Sequence, residues 1–287
     1  MPTAQHMVVG RELRRLRDAA LLSQKNAASL LGISTYILSR NETGETPCKR
    51  ETLLKACGIY NATPEEQALL SHMLSEASRR RWWQGSEWRG VAQKKLLTLI
   101  SLEEQAEYIR VYDRDRIPGM LQTEEYAHWA ISVGMGGGSE RDIRRRVNLR
   151  MERQGHYAQS KGKHYTSVLD EATLIRGYGN PTVMRRQLEK LLELAEDRRY
   201  GLHIAELRKY NMPTGIGQTI LFDFGQQILP TILYEERHES AFVCQEPEEV
   251  DERCKSFDRL LHASMSTIHT RRRIRDHLDR LTRKTHR

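Results

Sequence analysis

No apolar run in this sequence approaches the roughly 18 residues that a helix needs to cross a bilayer. Its opening residues, MPTAQHMVVGRELRRLR, carry no apolar core of an export leader. These two absences predict a cytoplasmic protein with no membrane partner. Cysteine is scarce: Cys48, Cys57, Cys244 and Cys254 include no CxxC pair, and their spacing fits no common zinc pattern. They read as reduced structural thiols. Histidines are scattered, with His128, His164 and His203 far apart, so no metal-ligand set emerges. No Ser-His-Asp arrangement and no nucleotide fingerprint is present either. The glycine run GMGGGS, residues 134–139, lacks a preceding strand and the Lys-Ser/Thr of a phosphate loop. Glu103, Glu104, Glu107, Asp113 and Asp115 are interleaved with Arg110, Arg114 and Arg116, which points to paired surface charge rather than acid/base chemistry. The expectation is a protein that is not an enzyme and needs neither cofactor nor metal.

What is present is charge, unevenly placed. The 287 residues, 38% hydrophobic, suffice for about two domains. The net charge is +8. Residues 1–82 hold 12 basic and 8 acidic side chains, residues 265–287 hold 8 and 2, and the stretch between holds 26 and 28. Two basic ends around a near-neutral middle suit a polyanion partner.

The segment GISTYILSRNETG, residues 32–44, follows SQKNAASLL. Ser23 is placed to cap a two-turn helix over residues 24–31. Gly32 supplies the positive φ of a sharp turn, and Ser34 caps a second helix running from Thr35 to about Thr43, stopped at Gly44. Two short helices joined at a glycine make a helix-turn-helix. Ala27, Leu31, Ile33 and Leu38 fall where both helices meet a common core, and Ala28 is small at the close crossing. At about 100° per residue, Thr35, Ser39, Thr43, Tyr36 and Arg40 share one arc, and Ile37 and Leu38 lie on the other. In such a unit the second helix enters the major groove. Thr35, Tyr36, Ser39 and Arg40 are then the base-edge candidates, with Arg40 suited to a bidentate contact with guanine. Gln24, Ser34, Thr43, Lys49, Arg50 and Arg14 are the phosphate candidates. The spacing also predicts an opening helix with Leu13, Leu16, Ala19 and Ala20 inward and Arg14, Arg15 and Arg17 outward. A fourth helix has Leu53, Leu54 and Ala56 inward, and a fifth is capped by Thr63 with Pro64 first.

GRELRRLRDAALLSQKNAASLLGISTYILSRNETGETP resembles the N-terminal domain of XRE-type repressors over about residues 10–60. That resemblance implies an all-α, five-helix DNA-binding domain. Asn41 departs from it, standing where the family has an aliphatic residue facing the core, which is expected to loosen the end of the recognition helix. Lys25 and Asn26 depart as well.

SRRRWWQGSEW, residues 78–88, reads as a linker whose tryptophans pack on the next domain under arginine cover. Beyond it the pattern predicts a helix from Leu102 to about Ile109, an extended piece, a turn at Pro118–Gly119 and helices capped by Thr123 and Ser139. A strand from His164 to Leu169 comes next, then a helix from Pro181, three strands within residues 200–237, a short one near residues 240–244, and a helix from about residue 246. The fold class is therefore multidomain: the helix-turn-helix domain over 1–80, an α+β domain with a small mostly antiparallel sheet over 81–264, and a basic helical tail over 265–287. Ile268, Ile274, Leu278 and Leu281 give that tail one apolar edge, fit for a dimer helix, a second DNA contact or a solvated extension.

LEEQAEYIRVYDRDRIPGMLQTEEYA, VNLRMERQ and SVLDEATLIRGYGNPTVMRRQLEKLLELAE resemble the C-terminal domain of actinobacterial WhiJ-like regulators, including the signature Pro-Gly-x-Leu-Gln-Thr-Glu-x-Tyr-Ala. The resemblance implies a nucleoid-associated transcriptional regulator whose C-terminal domain receives a signal or a small BldB-like protein. The expected function is sequence-specific binding to double-stranded DNA, as a homodimer on a palindromic operator. The alternative is an antitoxin-like adaptor that holds a small partner and uses DNA binding for autoregulation.

Overall fold

A computed structural model describes residues 3–79, 81–91, 93–136, 138–225, 230–236 and 241–285. It divides into two compact units, Met1–Gln105 and Ala106–Arg287.

The first unit contains α1 (Ala4–Ala19), α2 (Gln24–Leu31), α3 (Thr35–Glu42), α4 (Arg50–Ile59), α5 (Pro64–Ser78) and α6 (Lys94–Gln105). Thr3 starts α1 with a reciprocal cap: its hydroxyl accepts from the His6 N–H, and its own N–H donates to His6 Nδ1 at 3.0 Å. The helix thus begins six residues before the segment that resembles the repressor family, and Met7, Val8 and Val9 join the buried set. Val9, Leu13, Leu16, Ala27, Leu31, Leu38, Leu53 and Leu70 form one core with Cys57 and Tyr60. Gly10 makes the crossing of α1 and α3 possible, because a Cβ there would stand 2.2 Å from the Asn41 carbonyl oxygen. Two short 3-10 turns, Trp82–Gln84 and Ser86–Trp88, carry the chain to α6. Trp83, in the first of them, is buried. Helix α6 belongs to this unit, since the Ala4 N–H donates to Ser101 Oγ at 3.0 Å and Gln105 Nε2 donates to Gln5 Oε1 at 2.6 Å. The compact units therefore meet about 25 residues beyond the join that the tryptophan-rich segment suggests.

The second unit contains β1 (Tyr108–Asp113), α7 (Glu124–Met135), α8 (Glu140–Gln159), β2 (His164–Asp170), α9 (Glu171–Arg176), α10 (Pro181–Leu194), β3 (Tyr200–Ala205), β4 (Thr219–Asp223), β5 (Ile232–Glu236), β6 (Ala241–Cys244), α11 (Pro247–Ala263) and α12 (Thr267–Thr285). The strands form a 6-stranded sheet in the order β3-β2-β1-β4-β5-β6. Strand β1 pairs parallel with β2, Tyr108 opposite His164, and antiparallel with β4, Val111 opposite Ile220. Strand β2 pairs parallel with β3, and β4-β5-β6 continue antiparallel. Helical crossovers α7–α8 and α9–α10 are what parallel neighbours require. The class is α+β, as the sequence implies, but the sheet is larger than expected and mixed. Two further expectations change. The helix predicted to reach Ile109 stops at Gln105, and Ile109 lies in the central strand, buried. The basic tail is not a separate extension: Ile274 and Thr270 of α12 are fully buried, and the helix packs on α10 and β3. On the sheet, Phe257, Leu260 and Val250 of α11 cover Tyr112, Val168, Leu221 and Leu233.

Candidate nucleic-acid interface

Helices α2 and α3 form the corner that the caps predict. Ser23 Oγ accepts from the Asn26 N–H at 3.2 Å, and Ser34 Oγ accepts from the Ile37 N–H at 3.2 Å. Gly32 ends α2 at φ 73°. Lys55 reaches from α4 to donate to the Leu31 carbonyl at 3.2 Å, satisfying one of the last acceptors of α2.

On α3 the inward residues are Leu38, Asn41 and Glu42. Thr35 and Tyr36 are exposed, and Ser39 and Arg40 are half-buried beside them. Ile37, which the sequence assigns to the aliphatic side, is 45% exposed. It lies at the edge of the outward arc because Asn41 and Glu42 take the inner positions. Asn41 does not loosen the helix end: its Nδ2 donates to the Thr46 carbonyl at 3.0 Å and draws the following loop onto α3.

Glu42 explains the other inward turn. Arg17, expected on the outside of α1, is buried and bidentate to it, Nε to Oε1 at 2.6 Å and Nη2 to Oε2 at 3.0 Å. The Arg17 Nη1 also donates to the Leu22 carbonyl at 2.9 Å. The hydrogen bond that Arg17 donates to Glu42 leads the causes that raise the Arg17 pKa. Removing one partner of such a buried pair typically costs about 3–5 kcal/mol. Gln24 Nε2 donates to Glu42 Oε2 at 3.0 Å, which ties the first turn of α2 into the same network. Arg15 is likewise engaged, with Glu12 and Glu66, each at 2.6 Å. Arg14 lines an open cleft of about 320 Å³ with Arg17, Gln24, Ser39, Glu42 and Thr43. Four of the expected contact residues, Arg14, Gln24, Ser39 and Thr43, are thereby brought together.

Lys49 and Arg50 are exposed at the start of α4, and no side chain caps that helix. The two cations thus flank a helix start whose first N–H groups no side chain caps. Sequence reasoning missed the Arg17–Glu42 pair altogether.

In the second unit, the signature segment 118–127 is held by amides. Buried Gln122 donates to the Ile117 carbonyl at 2.6 Å and accepts from Arg150 Nη1 at 2.6 Å. Gln187 donates to the Leu121 carbonyl and accepts from the Thr123 N–H. Lys190 Nζ donates to the Gln122 carbonyl at 2.7 Å, and burial lowers its pKa. These side chains spend their hydrogen bonds on the backbone of the segment, so the motif is scaffold. Among the described residues no group of three or more His, Cys, Asp or Glu is placed to hold a metal. No described helix is long and apolar enough to cross a membrane.

Comparison with known families gives two matches. Residues 8–70 match a helix-turn-helix domain, and residues 96–276 match a domain of unknown function, DUF5753. No curated protein and no solved structure matches the chain. The first unit is a DNA-binding module of the helix-turn-helix class.

Proposed function

The chain belongs to the DUF5753 family, and from that premise we propose that it is a sequence-specific transcriptional regulator, with α3 as its reading helix and the second unit as its regulatory part. The observation that carries this is the outward arc of exposed Thr35 and Tyr36 with half-buried Ser39 and Arg40, presented by a doubly capped corner. Arg40 addresses guanine O6 and N7, Thr35 and Ser39 donate or accept at neighbouring edges, and Tyr36 meets a thymine methyl or a phosphate. Ile37 adds an apolar contact at the rim. Lys49 and Arg50, with the uncapped N-terminus of α4, bind one phosphate. Gln24, through the start of α2, binds another, with Ser34, Thr43 and Arg14 along the same strand.

Two copies on a palindrome place their α3 helices about 34–36 Å apart, or a multiple of that. Resemblance to WhiJ-like regulators supports a signal or a small BldB-like protein as the input to the second unit, and a cytoplasmic, nucleoid-associated location. The test is selection of duplexes from a random library by the full chain, followed by affinity measurements on the selected site. Arg40→Ala is expected to lose about 1–3 kcal/mol and to relax preference at one base pair, whereas Lys49→Ala weakens all duplexes alike. Two variants that bind the selected site as tightly as wild type would remove α3 from the groove.

A further inference from the structure

The loop after α3 folds back and sets a carboxylate against Arg40. Glu45 Oε2 lies 3.4 Å from Arg40 Nε. That loop is fixed at several points. The Thr46 N–H donates to the Arg40 carbonyl at 3.0 Å, Asn41 Nδ2 donates to the Thr46 carbonyl at 3.0 Å, and the Gly44 N–H donates to the Asn41 carbonyl at 3.1 Å. The backbone that carries Glu45 is therefore held against α3. On the other side, Arg40 Nη1 donates to the Tyr36 hydroxyl at 2.8 Å, and the guanidinium carbon stands 5.4 Å from the Tyr36 ring centre. Nη1 is hydrogen-bonded before any duplex arrives, and Nε, which has no hydrogen-bond partner of its own, has the Glu45 carboxylate within ion-pair range.

Exposed ion pairs add little to stability. A carboxylate beside a polyanion site also opposes every phosphate. The use of Glu45 lies in what it leaves free. With the carboxylate beside Nε and one Nη1 N–H on Tyr36, the Nη2 N–H groups and the second Nη1 N–H supply the fork that two acceptors on guanine require. An unrestrained arginine settles on any phosphate oxygen, because a backbone contact carries no sequence information. Resting on the placement of α3 in the groove, we infer that Glu45 is the positioning residue that makes Arg40 selective: it holds the guanidinium fork toward the base edge and opposes its capture by backbone phosphate. Glu45 acts through Arg40 and touches no base.

The test uses the full chain, the duplex selected by wild type and a scrambled duplex of equal length. Glu45→Gln keeps the shape and removes the charge, and Arg40→Ala and the double variant complete a cycle. Glu45→Gln is expected to lower the ratio of selected to scrambled affinity about fivefold, with the loss concentrated at the base pair that Arg40→Ala relaxes. In the Arg40→Ala background the same change leaves the ratio unaltered. Equal gains on both duplexes would overturn the inference, since they mark a general charge effect. Persistence of the loss without Arg40 would overturn it too, since Glu45 then contacts DNA directly. A wild-type chain that selects no sequence, or an Arg40→Ala variant that relaxes no base pair, defeats the groove placement itself and is recognisable as that separate failure.

Discussion

His6 holds the first turn of α1 with the lone pair of a neutral ring. Its Nδ1 accepts from the Thr3 N–H, a bond that a protonated ring cannot accept. Burial pushes the His6 pKa from 6.5 down to about 4. In the unfolded chain His6 protonates near 6.5, so between that value and about 4 the unfolded state binds the extra proton. Stability of the first unit is therefore full above 6.5 and is lost as the pH falls toward 4. Glutamine makes the same reciprocal cap without titrating. On going from pH 7 to pH 5, wild type is expected to lose about 2 kcal/mol more than His6→Gln, read from hydrogen-exchange protection of the α1 amides. Parallel losses in the two proteins would place the titration elsewhere. The Arg17–Glu42 pair belongs to the same scale. Its partners are 25 residues apart, and Arg17 stands in a run of arginines, so nothing local marks it as the buried one.

Helix ends were legible where the chemistry that makes them is local. Ser23, Ser34, Thr63, Thr123 and Ser139 each cap the helix that the spacing assigns to them, because the bond spans only three residues. Strand β1 was not legible as the centre of a sheet. Its partners, His164 on one side and Asp223 on the other, lie far along the chain, and strand direction leaves no trace in a local pattern. The outward arc of α3 could be read from spacing, whereas Ile37 was misplaced because Asn41 and Glu42, polar in sequence, occupy the core side. Helix α12 shows the same limit. Its four aliphatics suggest one edge, yet Ile268 is 67% exposed and Ile274 is fully buried against α10 and β3. Glu171 fastens the helix from α9, accepting from Arg273 Nη1 at 2.7 Å and hydrogen-bonding His277 Nε2 at 2.9 Å. Ile274→Ala is accordingly expected to destabilise the second unit by about 2–4 kcal/mol. Ile268→Ala stays within about 0.5 kcal/mol, and thermal melts of the two variants make the comparison.

Over the whole molecule, the two basic ends differ in what their charge does. At the C-terminal end much of the charge is consumed internally: Arg273 pairs with Glu171 and Glu206, and Arg271 approaches Glu196 at 3.6 Å. The exposed Arg272 and Arg275 stand four residues before Asp276 and Asp279, the spacing at which opposite charges on a helix neutralise one another. At the N-terminal end, Lys49 and Arg50 have no such companion one turn on, since Leu53 and Leu54 follow, and they flank an uncapped helix start. Counterion release counts only the cations that meet phosphate, so the slope of log affinity against log salt separates the two ends. Replacing Lys49 and Arg50 together by Gln is expected to flatten that slope by about 2, and replacing Arg272 and Arg275 by Gln to leave it unchanged. A slope that flattens equally in both double variants would put α12 on the duplex as well, and the surplus positive charge of the tail would then be part of the DNA footprint rather than of the packing around Glu171.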